Sequence, residues 1–212
     1  MKLLNDLLLF ILTISNKFNI DESHDISHSM DVLHHVNNIY QQQVYIFPPL
    51  KKHERVIFIS ALLHDMCDKK YMDEKDGVDE ICKFLKPRIT NVELNLVEKI
   101  IQTMSYSKVK EVGFPKFDEV DETWAYHVVR EADLLSAYDF DRCMIFQIKK
   151  KDGDMESSFN VAENLFNNRV LKHYDDGLLL TEYSKNNYLS LHNNAIQRIN
   201  TWKQILRNPK LN

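Results

Sequence analysis

The apolar run Val56-Ile57-Phe58-Ile59 continues through Ser60-Ala61-Leu62-Leu63 and stops at His64-Asp65. A helix of that composition belongs in the interior, yet it ends in an imidazole and a carboxylate side by side. Leaving both without partners in a core is expensive, because an isolated buried polar group costs about 1–3 kcal/mol and a charge far more. A divalent metal ion removes that penalty, since a neutral imidazole and a carboxylate both ligate such ions. Alone, the dipeptide fits as well a plainer arrangement in which the aspartate holds the histidine tautomer at a helix end.

The rest of the chain is suited to surrounding such a helix. Its 212 residues include only 4 glycines and 5 prolines, so long helices joined by short loops are expected rather than strands. Val32, Val36 and Ile39 make an apolar stripe on a helix from His28 towards Gln43, capped by Asp25 or Ser27. Further helices are expected over Leu50–Asp65, Asn91–Met104, the segment from Asp121 to Asp133, and the last third, Ser158–Lys172 and Leu180–Leu206. The expectation is an all-α, single-domain bundle of about eight or nine helices over residues 1–212, with a core at about 21–140 and C-terminal helices at about 155–206 packed on it. Those last helices either close the core or form a homodimer interface.

Composition also narrows the function. A net charge of -4 is unlike a protein that binds duplex nucleic acid. The three cysteines, Cys67, Cys82 and Cys143, have no C-x-x-C spacing, which suggests a reducing, cytoplasmic setting rather than a disulfide framework. Asn5 and Asp6 interrupt the apolar N-terminus, which reads as a first helix packed on the core and not as a signal peptide or membrane span.

Three motifs flank and include the His-Asp pair: Ser23-His24-Asp25-x-x-His28, Leu62-Leu63-His64-Asp65-x-x-Asp68-x-Lys70-Tyr71, and Glu131-Ala132-Asp133-x-Leu135. In this order they resemble the HD-domain metal-dependent phosphohydrolase superfamily, and within it a small single-domain branch that includes nucleoside triphosphate pyrophosphohydrolases. The likeness runs from Asp21 to the helix around Tyr183–Trp202. It implies an HD-type helical bundle and one divalent ion on His28, His64, Asp65 and Asp133. Two imidazoles and two carboxylates with open coordination positions suit Mn, Mg, Fe, Co or Ni better than a closed tetrahedral Zn site.

The implied activity is hydrolysis of a phosphate ester or phosphoanhydride, with a nucleotide as the substrate favoured by the resemblance. Asp68, or His24 with Asp25, would position or deprotonate the attacking water; Asp68 as a capping carboxylate is an equal alternative. Lys70, Lys108 and Arg130 are the cations expected to meet phosphate, and an ordinary solvated or ion-paired role is open to each. The chain departs from the family where members commonly carry an arginine and a second aspartate, at Leu134 and Ser136. That departure keeps two other readings open: a non-catalytic binding or regulatory module stabilised by metal, and an HD-type di-iron oxygenase, which would need further ligands besides His24.

Overall fold

A computed structural model describes residues 2–21, 24–208 and 210. Ser23, in the first motif, therefore lies outside the described residues. The fold is all-α, with ten α-helices and two short 3-10 helices among the described residues and no strand. Helix α1 spans Lys2–Phe18 and α2 Ile26–Ile46; a 3-10 helix over Pro48–His53 leads into α3, Glu54–Leu63. Then come α4 (Glu74–Leu85), α5 (Asn91–Thr103), α6 (Tyr106–Val112) and α7 (Val120–Ser136). Helices α8 (Phe140–Lys150) and α9 (Met155–Asn168), a 3-10 turn at Val170–Lys172 and the long α10 (Glu182–Leu206) complete the chain.

Two departures from the sequence expectation have local causes. The segment expected to be one helix from Leu50 to Asp65 begins as a 3-10 turn. Pro48 and Pro49 lack the amide donors a longer α-helix would use, although their fixed φ suits a first turn. The segment after α5, expected only as a helix end, forms the separate helix α6. Ser105 caps it by accepting the Lys108 amide, and Gly113, at φ 79°, closes it in the left-handed region. Elsewhere polar caps set the boundaries as the sequence suggests. Thr90 and Glu93 form a reciprocal capping box on α5.

Helix α3 is the centre of the main core. Val56, Ile57, Ile59, Ala61, Leu62 and Leu63 are all buried, and α1, α2, α5 and α7 pack around them. Helix α7 is also buried nearly all round from Ala125 to Ser136. A second, smaller apolar cluster joins Tyr138, Phe140, Met144, Phe159, Phe166 and Val170 to Ala195 and Ile199 of α10. Helix α10 bridges the two clusters, since it packs on α2 and α7 as well as on α8 and α9. The chain turns sharply between α3 and α4, and α4 crosses that turn closely at Gly77. A Cβ at Gly77 would lie 2.6 Å from the Cys67 Cα. None of the helices in the described residues is long and apolar enough to cross a membrane.

Candidate metal centre

Three helix segments deliver four side chains to one point. His28 projects from the first turn of α2, His64 and Asp65 follow the last residue of α3, and Asp133 lies in the final turn of α7. The imidazole Nε2 atoms of His28 and His64 are 3.2 Å apart. Asp65 places Oδ2 3.3 Å from His28 Nε2 and Oδ1 3.4 Å from His64 Nε2. Asp133 Oδ1 is 3.4 Å from His28 Nε2 and 3.5 Å from His64 Nε2. His28, His64 and Asp65 each offer a ligand atom within 4.8 Å of the others, and Asp133 joins them through the two imidazoles.

The tautomer of His64 is fixed from behind. Its Nδ1–H donates to the Ala61 carbonyl at 2.8 Å, so a neutral ring aims the Nε2 lone pair at His28. With both rings neutral and both Nε2 atoms carrying lone pairs, as metal ligation requires, the two would repel at this distance and Asp65 Oδ2 would have no hydrogen-bond donor. Both problems end when a cation sits between the donors. Ligand atoms about 2.1 Å from an ion lie roughly 3 Å or a little more from one another, close to the spacings observed, so the residues fit a divalent ion. Burial pushes the His64 pKa down, but Asp65 and Asp133 outweigh it and lift the imidazole to about 9. Burial pushes both carboxyls up, and the facing imidazoles more than reverse that, holding Asp65 and Asp133 below the usual range.

The cluster opens into a cavity of about 200 Å³. His24, Asp68, Lys70 and Lys108 line it, as the sequence suggested. Asp68 Oδ1 accepts the Lys70 amide at 2.9 Å, and its other oxygen pairs with Lys70 Nζ at 3.1 Å. Lys70 also donates to His24 Nε2 at 2.9 Å. The Tyr71 hydroxyl, 3.0 Å from His24 Nδ1, donates its own proton to Asp21, which leaves His24 Nδ1–H as the donor to Tyr71. Lys108 is held by Glu74 and by the Gln102 carbonyl. Cys67 is no ligand candidate: burial pushes its thiol up to about 12, with Glu74 and Asp65 adding to the shift.

Two expected residues stand elsewhere. Asp25 does not line the cavity; its carboxylate accepts the Ser27 amide at 2.8 Å and caps α2. Arg130 does not line it either. Its guanidinium is buried, donating to Glu131 at 3.2 Å and to the Leu178 carbonyl at 2.6 Å. Glu131 in turn accepts from the amides of Leu180 and Thr181 at 2.9 and 3.0 Å, so the pair ties α7 to the start of α10. Of the departures from the family pattern, Leu134 is buried and lines the cavity, while Ser136 donates to the Asp133 carbonyl.

Two lining arginines escaped the sequence reading, Arg142 in the first turn of α8 and Arg169 just after α9. Neither sits in a local motif, and the only hint is that each is a lone arginine near a helix end. Comparisons of the chain with protein-family models, curated proteins and solved structures find no match.

Proposed function

We propose that this protein is a metal-dependent phosphohydrolase acting on a small phosphorylated substrate, with a nucleotide as the class favoured by the sequence resemblance. The observation that carries the reading is the convergence of His28, His64, Asp65 and Asp133 in a cavity otherwise rich in cations: Lys69, Lys70, Lys108, Arg142 and Arg169. A divalent ion held by the four side chains supplies a lowered pKa for water and charge neutralisation for a phosphoryl group. The mixed nitrogen and oxygen donors favour Mn, Mg, Fe, Co or Ni over Zn.

The remaining steps belong to the chain. Asp68 offers a carboxylate beside the cluster, oriented through one oxygen by the Lys70 amide. It is the candidate to take a proton from the attacking water, a role typically contributing about 100- to 10,000-fold. His24 acts at one remove, holding Lys70 against Asp68 with its own ring oriented by Tyr71.

The test is to incubate Mn²⁺-loaded protein with a panel of nucleoside mono-, di- and triphosphates and to score orthophosphate and pyrophosphate release. Release from at least one member, abolished together with metal retention in His64→Ala and Asp65→Ala, is the expected result. Metal content unchanged in both variants removes the metal site. Metal retained by the wild type with no release from any nucleotide favours the binding module.

A further inference from the structure

Two of the cavity's lysines are already matched. Lys70 pairs with Asp68, and Lys108 pairs with Glu74. Arg169 presents a different picture. Arg169 lays its guanidinium over the Tyr106 ring, 4.2 Å from the centroid, and its buried Nε has no hydrogen-bond partner. A guanidinium stacked on a ring keeps its N–H donors in its own plane, directed sideways and not at the ring. A buried donor left unsatisfied costs about 1–3 kcal/mol, so this geometry wants an acceptor.

Arg142 brings a second positive charge to the same cavity from α8. Burial lowers the Arg169 pKa; Asp133 and Tyr106 oppose that, and the neighbouring Arg142 adds to the lowering. Arg169 therefore lies within electrostatic reach of both a ligand of the proposed metal and another guanidinium. Two like charges lining one cavity are stabilised by an anion that they share, and phosphate oxygens match the guanidinium fork. Size agrees with this. A cavity of about 200 Å³ is below the range of about 300–1,000 Å³ usual for whole small-molecule ligands.

We propose that Arg142 and Arg169 form a single seat for a phosphate group, facing the His28, His64, Asp65 and Asp133 cluster, with the remainder of the substrate outside the enclosed space. This assignment rests on the phosphohydrolase reading and gives it a substrate requirement: the arginines grip the charged group, and the non-phosphate part is held less tightly.

Calorimetric titration with inorganic orthophosphate, on metal-stripped protein and again with Mn²⁺, tests the seat. Arg142→Gln and Arg169→Gln should each weaken orthophosphate binding at least tenfold in both states, while elemental analysis finds Mn content unchanged. Lys110→Gln, at a lysine paired with Asp176 away from the cavity lining, should bind as the wild type does. Arg169→Lys keeps the charge without the planar fork and is read in place of Arg169→Gln where circular dichroism shows that variant unfolded; it too should bind orthophosphate more weakly. Wild-type affinity in either folded arginine variant overturns the shared seat, as does a wild-type protein that binds no orthophosphate with or without Mn²⁺. Failure of the metal site has a separate signature, retention of Mn by His64→Ala and Asp65→Ala, and orthophosphate binding by metal-stripped protein does not depend on it.

Discussion

The two walls of the cavity stand on different foundations. The His and Asp wall comes from α2, the end of α3 and α7, whose neighbouring residues Val32, Leu62, Leu63 and Ala132 belong to the main core. The arginine wall comes from α8 and the segment after α9, which rest on the smaller cluster of Phe140, Met144, Phe166 and Val170. Four atoms that must meet one ion need positions fixed to within a fraction of an ångström, and a close-packed interior supplies that. Long arginine side chains meeting a phosphate tolerate a looser base. On the proposed reading, the contrast would separate gripping an ion from receiving a substrate within one small fold.

The strongest way to break the comparison is to remove the first wall. Asp133→Ala should reduce Mn content, by elemental analysis, from stoichiometric to near background and abolish phosphate release, although this residue has an exposed edge. Next comes Asp68→Asn, which should lower turnover by about 100- to 10,000-fold with Mn content unchanged; a turnover within a few-fold of wild type would return Asp68 to a capping role.

Phe166→Ala probes the second wall. Its ring is fully buried, 5.0 Å from that of Phe140, so truncation should cost about 3–5 kcal/mol in a urea melt. Below the melting transition the variant should keep its metal and lose orthophosphate affinity. Equal loss of both would show that the walls do not move separately.

The smallest effect lies away from both walls, on the α3–α5 contact. The Arg55 guanidinium grips Glu93 at 2.8 and 2.5 Å, and with the Thr90 amide and hydroxyl it holds the carboxyl at about 2 against the opposing effect of burial. A carboxyl depressed in the folded state stabilises the protein above its unfolded pKa of about 4.3 and loses that contribution as pH falls through the folded value. The pair is partly exposed, so Glu93→Gln should cost less than about 1 kcal/mol at pH 7. That difference should shrink as melts are repeated from pH 4 towards pH 2, with metal binding at pH 7 unaffected.

The legibility of the sequence follows the same division. His64-Asp65 could be read because a wholly apolar helix ending in two polar residues is a conflict visible in the chain itself, and Asp25 was correctly placed as one of two possible caps. The helices were readable from their stripes and scarce glycines, but α6 was not, because seven residues following a serine look like the fraying end of α5. Arg130 misled because three-residue spacing from Asp133 puts it near that residue on a helix without revealing which neighbours cover it. Its partners, Glu131 and the Leu178 carbonyl, include a group 48 positions away. Arg142 and Arg169 were invisible for the same reason. Their common destination is set by how α8 and α9 pack, a property of no short stretch.

The close crossing at Gly77 means that the turn carrying His64, Asp65 and Asp68 is moulded against the backbone of a helix that contributes no ligand. A single methyl group there would act as a wedge, prising Cys67 outward and carrying the neighbouring donors with it. Sensitivity to substitution thus extends one layer beyond the chemistry, to a position whose only qualification is having nothing on its α-carbon.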